Sequence, residues 1–183
     1  AQATILNDDG GSNTQPQVTN PIPDTNGVYG TPLSFTFAAD AFTDQDAGQT
    51  LSYSAAGLPP GISFTPATRT FSGTPAAVGT HSLTVTAIDD GSPALQTNDV
   101  FVLVIAQAPL TVTALNTNRV YGTANPPLTG TLVGVINGDN ITATYDSAAT
   151  PSSPVGTYSI VPTLADPDTK LGNYTLTATD GTL

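Results

Sequence analysis

Asp44-Gln45-Asp46-Ala47-Gly48 and Asp89-Asp90-Gly91 gather carboxylates beside glycines, and Asp8-Asp9-Gly10 does the same earlier in the sequence. All fourteen acidic residues are aspartates, and only Arg69, Arg119 and Lys170 stand against them. The choice of Asp over Glu carries physical content. Its short side chain bonds nearby backbone amides and so suits turns, whereas Glu suits helices. Carboxylates gathered in loops repel one another unless a cation neutralises them. A hard divalent ion with oxygen ligands, Ca2+ above all, is the usual remedy. The plainer reading of the same charge is an acidic surface that keeps a secreted protein soluble.

The elements that would position these groups are strands. From Val18 to Ala106 the sequence keeps a strand–turn rhythm. Leu33, Phe35 and Phe37 alternate with polar residues, and Leu51, Tyr53 and Ala55 follow the acidic loop. Ile62 and Phe64 come after a Pro-rich turn, then Phe71. The longest strand puts His81, Leu83, Val85 and Ala87 on one face, and Val100 to Ile105 closes the unit. In an antiparallel sandwich the start of the first strand, the second-to-third loop and the sixth-to-seventh loop share one pole. Asp44, Asp46 and Asp89 should therefore converge, with Asp8, Asp9 or Asn13 of the incoming linker above them. Asp90 and Asp99 read as solvated turn residues.

Gln107-Ala108-Pro109 reads as a short hinge to a second unit. Its strands are expected near Leu110–Ala114, Arg119–Tyr121, Leu128–Val133, Ile141–Tyr145, Thr157–Val161 and Tyr174–Ala178. The two halves share phrases. Val28-Tyr29-Gly30-Thr31 returns as Val120-Tyr121-Gly122-Thr123, and Val78-Gly79-Thr80 as Val155-Gly156-Thr157. The first pair is 92 residues apart and the second 77, so this is common β grammar and not a strict repeat. Tyr29 and Tyr121 read as packing residues ahead of a Gly turn. Residues 1–17 read as the tail of a preceding module and a linker, 18–107 as one domain and 108–183 as another.

Composition narrows the function classes. Gly and Pro together number 33, which leaves no room for long helices. There is no Cys, so neither disulfides nor thiolate metal sites are open to the chain. A net charge of −11 argues against nucleic acid and anionic membrane surfaces as partners. Catalysis has little to work with: one His, no Cys, no Glu and no G-x-S-x-G elbow. His81 opens a strand and reads as a packing residue. Absence of Met and a start on Ala1 suggest an excised piece of something longer.

Three resemblances follow from longer stretches. Ala3-Thr4-Ile5-Leu6-Asn7-Asp8-Asp9 resembles the closing strand of a Calx-beta domain. Residues 16–106 resemble the dystroglycan-type cadherin-like domains of bacterial surface proteins. That likeness rests on Phe42 to Ala55, Leu58-Pro59-Pro60-Gly61-Ile62-Ser63-Phe64, Thr70 to Pro75 and Val85-Thr86-Ala87-Ile88-Asp89. It implies Ca2+ at the junction with the preceding module, held by Asp44, Asp46 and Asp89. Asp24 would stand in for the Glu that cadherins carry on the first strand. Residues 109–183 resemble the MBG modules found in tandem in large bacterial adhesins. Here the match lies in Val120 to Leu128, Val135-Ile136-Asn137-Gly138-Asp139, Val155-Gly156-Thr157-Tyr158 and Gly172-Asn173-Tyr174-Thr175.

The expectation is thus an all-β chain of two tandem β-rich domains. The first is a cadherin/Ig-like Greek-key sandwich and the second a small β module, sandwich or β-grasp. They read as non-catalytic modules of a large secreted bacterial surface protein. Their role would be adhesion or extension, with a Ca2+-rigidified joint between modules. The alternative is a calcium-dependent carbohydrate-binding module. The partners expected are neighbouring modules of the same chain and a cell-surface, extracellular-matrix or glycan ligand. No nucleic acid and no direct membrane insertion are expected, and the setting would be extracellular.

Overall fold

The structure is a computed structural model that describes residues 12–136 and 138–183. It divides into two compact units. The first takes the residues up to Asn26, Pro32–Gly73 and Thr80–Val104. The second takes Gly27–Thr31, Thr74–Gly79 and Ile105–Leu183. Asp8 and Asp9 lie outside the described residues, as does the stretch likened to a Calx-beta strand.

Among the described residues nine strands build the first unit, and three of them (the second, eighth and ninth) run on into segments counted with the second. They are β1 (Gln17–Val18), β2 (Thr25–Val28), β3 (Leu33–Thr36), β4 (Phe42–Thr43), β5 (Ser52–Ala56), β6 (Ile62–Thr65), β7 (Thr70–Gly73), β8 (Gly79–Ile88) and β9 (Gln96–Ala106). One sheet has the order β2-β9-β8-β5, a second β3-β7-β6, and β1 pairs with β4. The inward faces are those the alternation predicts: Leu83, Val85 and Ala87 of β8 and Phe101 and Leu103 of β9 are buried. On the other sheet Phe35 and Phe64 both sit opposite Phe71. Phe71 meets Phe64 at 4.6 Å between ring centroids and Phe101 of the opposing sheet at 5.5 Å, edge to face. Aromatic pairs of this kind add to the free energy of burial itself. Gly73 allows the β6–β7 hairpin to close: its φ is +143°, and a Cβ there would lie 2.0 Å from the Gly61 carbonyl oxygen.

The second unit is carried by β10 (Ala108–Ala114), β11 (Gly130–Val133), β12 (Thr142–Asp146), β13 (Ser159–Ala165), β14 (Tyr174–Thr179) and β15 (Gly181–Thr182). They form two three-stranded sheets, β11-β10-β14 and β12-β13-β15. β10 runs antiparallel to β11 and parallel to β14. Ala108, Leu110, Val112 and Ala114 are buried at alternate positions along β10. Ala114 joins Ala149, Ile160 and Leu183 in a core against which Leu128, Tyr145 and Tyr158 pack. Among the described residues there is no α-helix of the kind a β-grasp lays across its sheet. No helix there is long and apolar enough to cross a membrane.

Several local expectations need correction. No strand forms over Arg119–Tyr121; Val120 to Thr123 is a turn closed by Thr123 N–H on the Val120 carbonyl at 3.2 Å. Arg119 explains it, because its guanidinium donates to the Thr123 and Thr150 carbonyls and folds the segment back. Tyr121 is consequently exposed and not a packing residue, whereas Tyr29 is buried. Ala108 and Pro109 belong to a strand and not to a hinge, since they pair with Tyr174 and Thr175.

Candidate functional site at the pole of the first unit

The loop between β4 and β5 and the hairpin loop between β8 and β9 lie together with the segment around Asn13. Asp44 turns its own loop: its Oδ1 accepts the Asp46 backbone N–H at 2.8 Å, an Asx turn. Asp46 then holds the incoming chain. Its Oδ2 accepts from the Thr14 backbone N–H at 2.7 Å and from the Thr14 hydroxyl at 2.8 Å. Asn13, next in sequence, spans the site. Its Nδ2 donates to Oδ1 and Oδ2 of Asp89, both at 3.2 Å, and to the Pro93 carbonyl at 2.7 Å. Its Oδ1 accepts from Gln49 Nε2 at 2.8 Å.

Asp89 is the buried member, 4% exposed. Oδ1 also accepts the Gly91 and Leu95 backbone N–H groups, at 3.0 and 2.9 Å. A carboxylate out of water requires this, because an unpaired one would be very costly. The loop closes tightly on Asn13: a Cβ on Gly91 would fall 2.2 Å from Asn13 Oδ1. Two oxygens of the same network are left over. Asp44 Oδ2 and Gln49 Oε1 are buried and accept no hydrogen bond from the described residues. Buried acceptors of this kind are uncommon, and an ion is one of their recognised explanations. The donor set is all oxygen, which suits Ca2+.

The structure thus brings Asn13, Asp44, Asp46 and Asp89 into one hydrogen-bonded network and leaves Asp24 out of it. Asp24 Oδ1 accepts the Val102 backbone N–H at 2.7 Å. Val102 lies six residues along β9 from Gln96, about 20 Å at strand rise. Among the described residues no three His, Cys, Asp or Glu side chains are grouped so as to hold a metal. Asp89 is linked to the Asp44–Asp46 turn through Asn13, Thr14 and Gln49.

Asp90 and Asp99 are more than solvated turn residues. Asp90 accepts the Thr50 backbone N–H at 2.9 Å and the Thr50 hydroxyl at 2.7 Å. Those bonds, the backbone one foremost, hold its carboxyl below the usual range. Asp99 Oδ2 accepts the Ile22 backbone N–H at 2.6 Å. Thr14, Gln49 and Thr50 were missed by sequence reasoning. Gln49-Thr50 ends the acidic loop one residue before Leu51, and that placement was the available signal.

A second constellation was also missed, and it lies within the second unit. Tyr29 donates its hydroxyl to Oδ1 and Oδ2 of Asp139, at 3.1 and 3.0 Å. Tyr174 donates to Oδ2 of the same carboxylate and accepts the Ile136 backbone N–H at 2.9 Å. The two rings meet edge to face at 5.6 Å. Burial and then the Asp139 bond push the Tyr174 hydroxyl up to about 12, and the same causes raise Tyr29. Partners 110 residues apart leave no spacing signal.

Comparison with known families gives two matches. The model described as "Putative Ig domain" matches residues 15–106, and that described as "MBG domain (YGX type)" matches residues 110–183. Comparison with curated proteins gave no match. Among solved structures, a putative α-galactosidase from Bacteroides fragilis is 20% identical over 56% of this chain and 21% of its own, at a TM-score of 0.39. The human CDH23 EC21-23 fragment is 18% identical over 90% of this chain and 62% of its own, at 0.44. The human desmocollin-1 ectodomain is 13% identical over 92% of this chain and 41% of its own, at 0.42. The chain spans about a fifth to a quarter of the length of the first solved structures it resembles. These are distant likenesses.

Proposed function

We propose, because this chain belongs to the putative Ig domain family through residues 15–106, that it is a run of non-catalytic modules. They would act in adhesion or as an extender of a secreted bacterial surface protein. The MBG match over residues 110–183 supports a tandem arrangement. In this reading Ca2+ stiffens the chain where it enters the first unit. The single observation that carries it is the pair of buried oxygens, Asp44 Oδ2 and Gln49 Oε1, that have no partner among the described residues.

Asp44 and Asp46 would hold the ion with the Gln49 amide oxygen. Asp89 would contribute Oδ2, which among the described residues accepts only from Asn13. Asp8 and Asp9 would complete the set from the segment ahead of Asn13. When bound, the ion supplies positive charge that offsets the repulsion among these carboxylates and ties the Asn13–Thr14 segment to both loops. The residues already present do the positioning. Asn13 bridges Asp89 and Gln49, and Asp46 anchors Thr14.

Melting the chain in millimolar calcium and in chelator tests this. A site held at ~100 times its dissociation constant adds roughly 2.7 kcal/mol to the folded state. Asp46→Ala should remove most of the calcium-dependent shift. Asp139→Ala, which alters a different carboxylate network, should leave it in place. No shift in the unaltered chain would count against calcium at this pole.

A further inference from the structure

Two turns with the same sequence and the same internal bonding have opposite surroundings. In Val28-Tyr29-Gly30-Thr31, Thr31 N–H bonds the Val28 carbonyl at 3.1 Å, and Gly30 N–H bonds the Pro75 carbonyl at 3.0 Å. In Val120-Tyr121-Gly122-Thr123, Thr123 N–H bonds the Val120 carbonyl at 3.2 Å, and Gly122 N–H bonds the Pro151 carbonyl at 3.2 Å. Both glycines have positive φ, +68° and +85°. Each proline is followed closely by a Val-Gly-Thr, at Val78 and at Val155. The match is therefore a two-segment structure and more than a shared tetrapeptide.

The first copy is covered. Tyr29 is 4% exposed, with its hydroxyl on Asp139 and its ring on Tyr174. A Cβ on Gly30 would lie 2.6 Å from Ile136. Val78 N–H reaches Asn173 Oδ1 at 3.4 Å. Among the described residues the second copy has no such cover. Tyr121 is 61% exposed and Val155 90%, and a Cβ on Gly122 or Gly156 would meet nothing within 4 Å. An exposed aromatic and an exposed valine that line one pocket are a surface suited to association.

We propose that Val120–Thr123 with Thr150–Gly156 is the docking face for a second, tandem copy of the module formed by residues 108–183. The occupant is set by what covers the first copy: Asp139 for the tyrosine hydroxyl, Tyr174 for its ring, Ile136 for the bare glycine, and Asn173 for the valine amide. All four belong to residues 108–183. The neighbouring strands agree. β9 lies beside β2, which leads into the first turn, and Thr117, just ahead of the second turn, bonds the carbonyl of Thr182 on β15 at 2.9 Å. Leu103 on β9 and Leu183 after β15 are both buried. The proposal rests on the tandem-module reading and not on calcium.

The test extends the chain by repeating residues 104–183 after Leu183, so that Val104–Gln107 follow that leucine as they follow Leu103. Tyrosine nitration by tetranitromethane, read residue by residue by mass spectrometry, reports exposure. Tyr121 should react readily in the unextended chain and at least about tenfold more slowly in the extended one, approaching the protected Tyr29. Asp139→Ala made only in the appended copy should restore its reactivity. As a second readout, Tyr121→Ala should leave the melting temperature of the unextended chain unchanged and lower that of the extended one. Tyr121 reacting equally fast in both chains, protection that ignores the appended aspartate, or a Tyr121→Ala change with no effect in either chain would each overturn the proposal.

Discussion

Asn13 donates through one nitrogen to both carboxylate oxygens of Asp89, at 3.2 Å each. A residue of the incoming segment is thereby fixed to the buried acid that follows β8. That acid also closes its own hairpin through the Gly91 and Leu95 amides. Asp89→Ala would strand those two N–H groups and release Asn13. Buried donors left unpaired cost about 1–3 kcal/mol each, so a loss of about 3 kcal/mol is expected. Chemical denaturation of the intact chain measures it. Asp89→Asn, which keeps one acceptor, should lose less than Asp89→Ala.

Phe71 is the centre of the first unit's core, touching Phe35, Phe64 and Phe101. Phe71→Ala removes a ring that two sheets share and opens a cavity between them. The expected loss is about 3–5 kcal/mol, with Phe71→Leu losing less. Denaturation midpoints of the two variants, compared at constant slope, give the answer. Equal stability of Phe71→Ala and the unaltered chain would contradict the core described above.

Alkali should unfold the chain through the Asp139 cluster. The Tyr174 hydroxyl is held at about 12, above the usual value of 10.0. Its neutral form is thus favoured by the folded state. That contribution is fully present below pH ~10 and disappears as pH rises through ~12. Tyr174→Phe should lower stability at neutral pH by loss of the Asp139 and Ile136 bonds. It should also flatten the decline between pH 10 and 12. A decline as steep as in the unaltered chain would show that Tyr174 is not the group responsible. Tyr29 and Tyr53, raised in the same direction, should keep some slope.

Alternating residues on β5, β8 and β10 made the strands legible, because period-two burial is a local property of the sequence. The acidic pole was legible for the same reason one level up. Once strands alternate in direction, Asp44, Asp46 and Asp89 fall at one end whatever the loop details. What stayed hidden were relations that no local pattern encodes. Arg119 bends back to the Thr150 carbonyl and abolishes an expected strand. Asp24 was named by analogy, and its Oδ1 accepts the Val102 backbone N–H on β9, a partner that no local pattern announces. Asp139 serves two tyrosines from distant parts of the chain, and neither sequence neighbourhood announces it.

The most direct measurement is a calorimetric titration of the chelator-treated chain with calcium, repeated on Asp44→Asn and Asp24→Asn. The account predicts saturable binding in the unaltered chain. Asp44→Asn should lose at least about tenfold in affinity, since a charged ligand to a hard cation becomes neutral. Asp24→Asn should bind as the unaltered chain does, since Asp24 lies outside the Asn13–Asp44–Asp46–Asp89 network and bonds Val102. Absence of binding heat in the unaltered chain, or binding that survives Asp44→Asn and falls with Asp24→Asn, would contradict a calcium site at this pole.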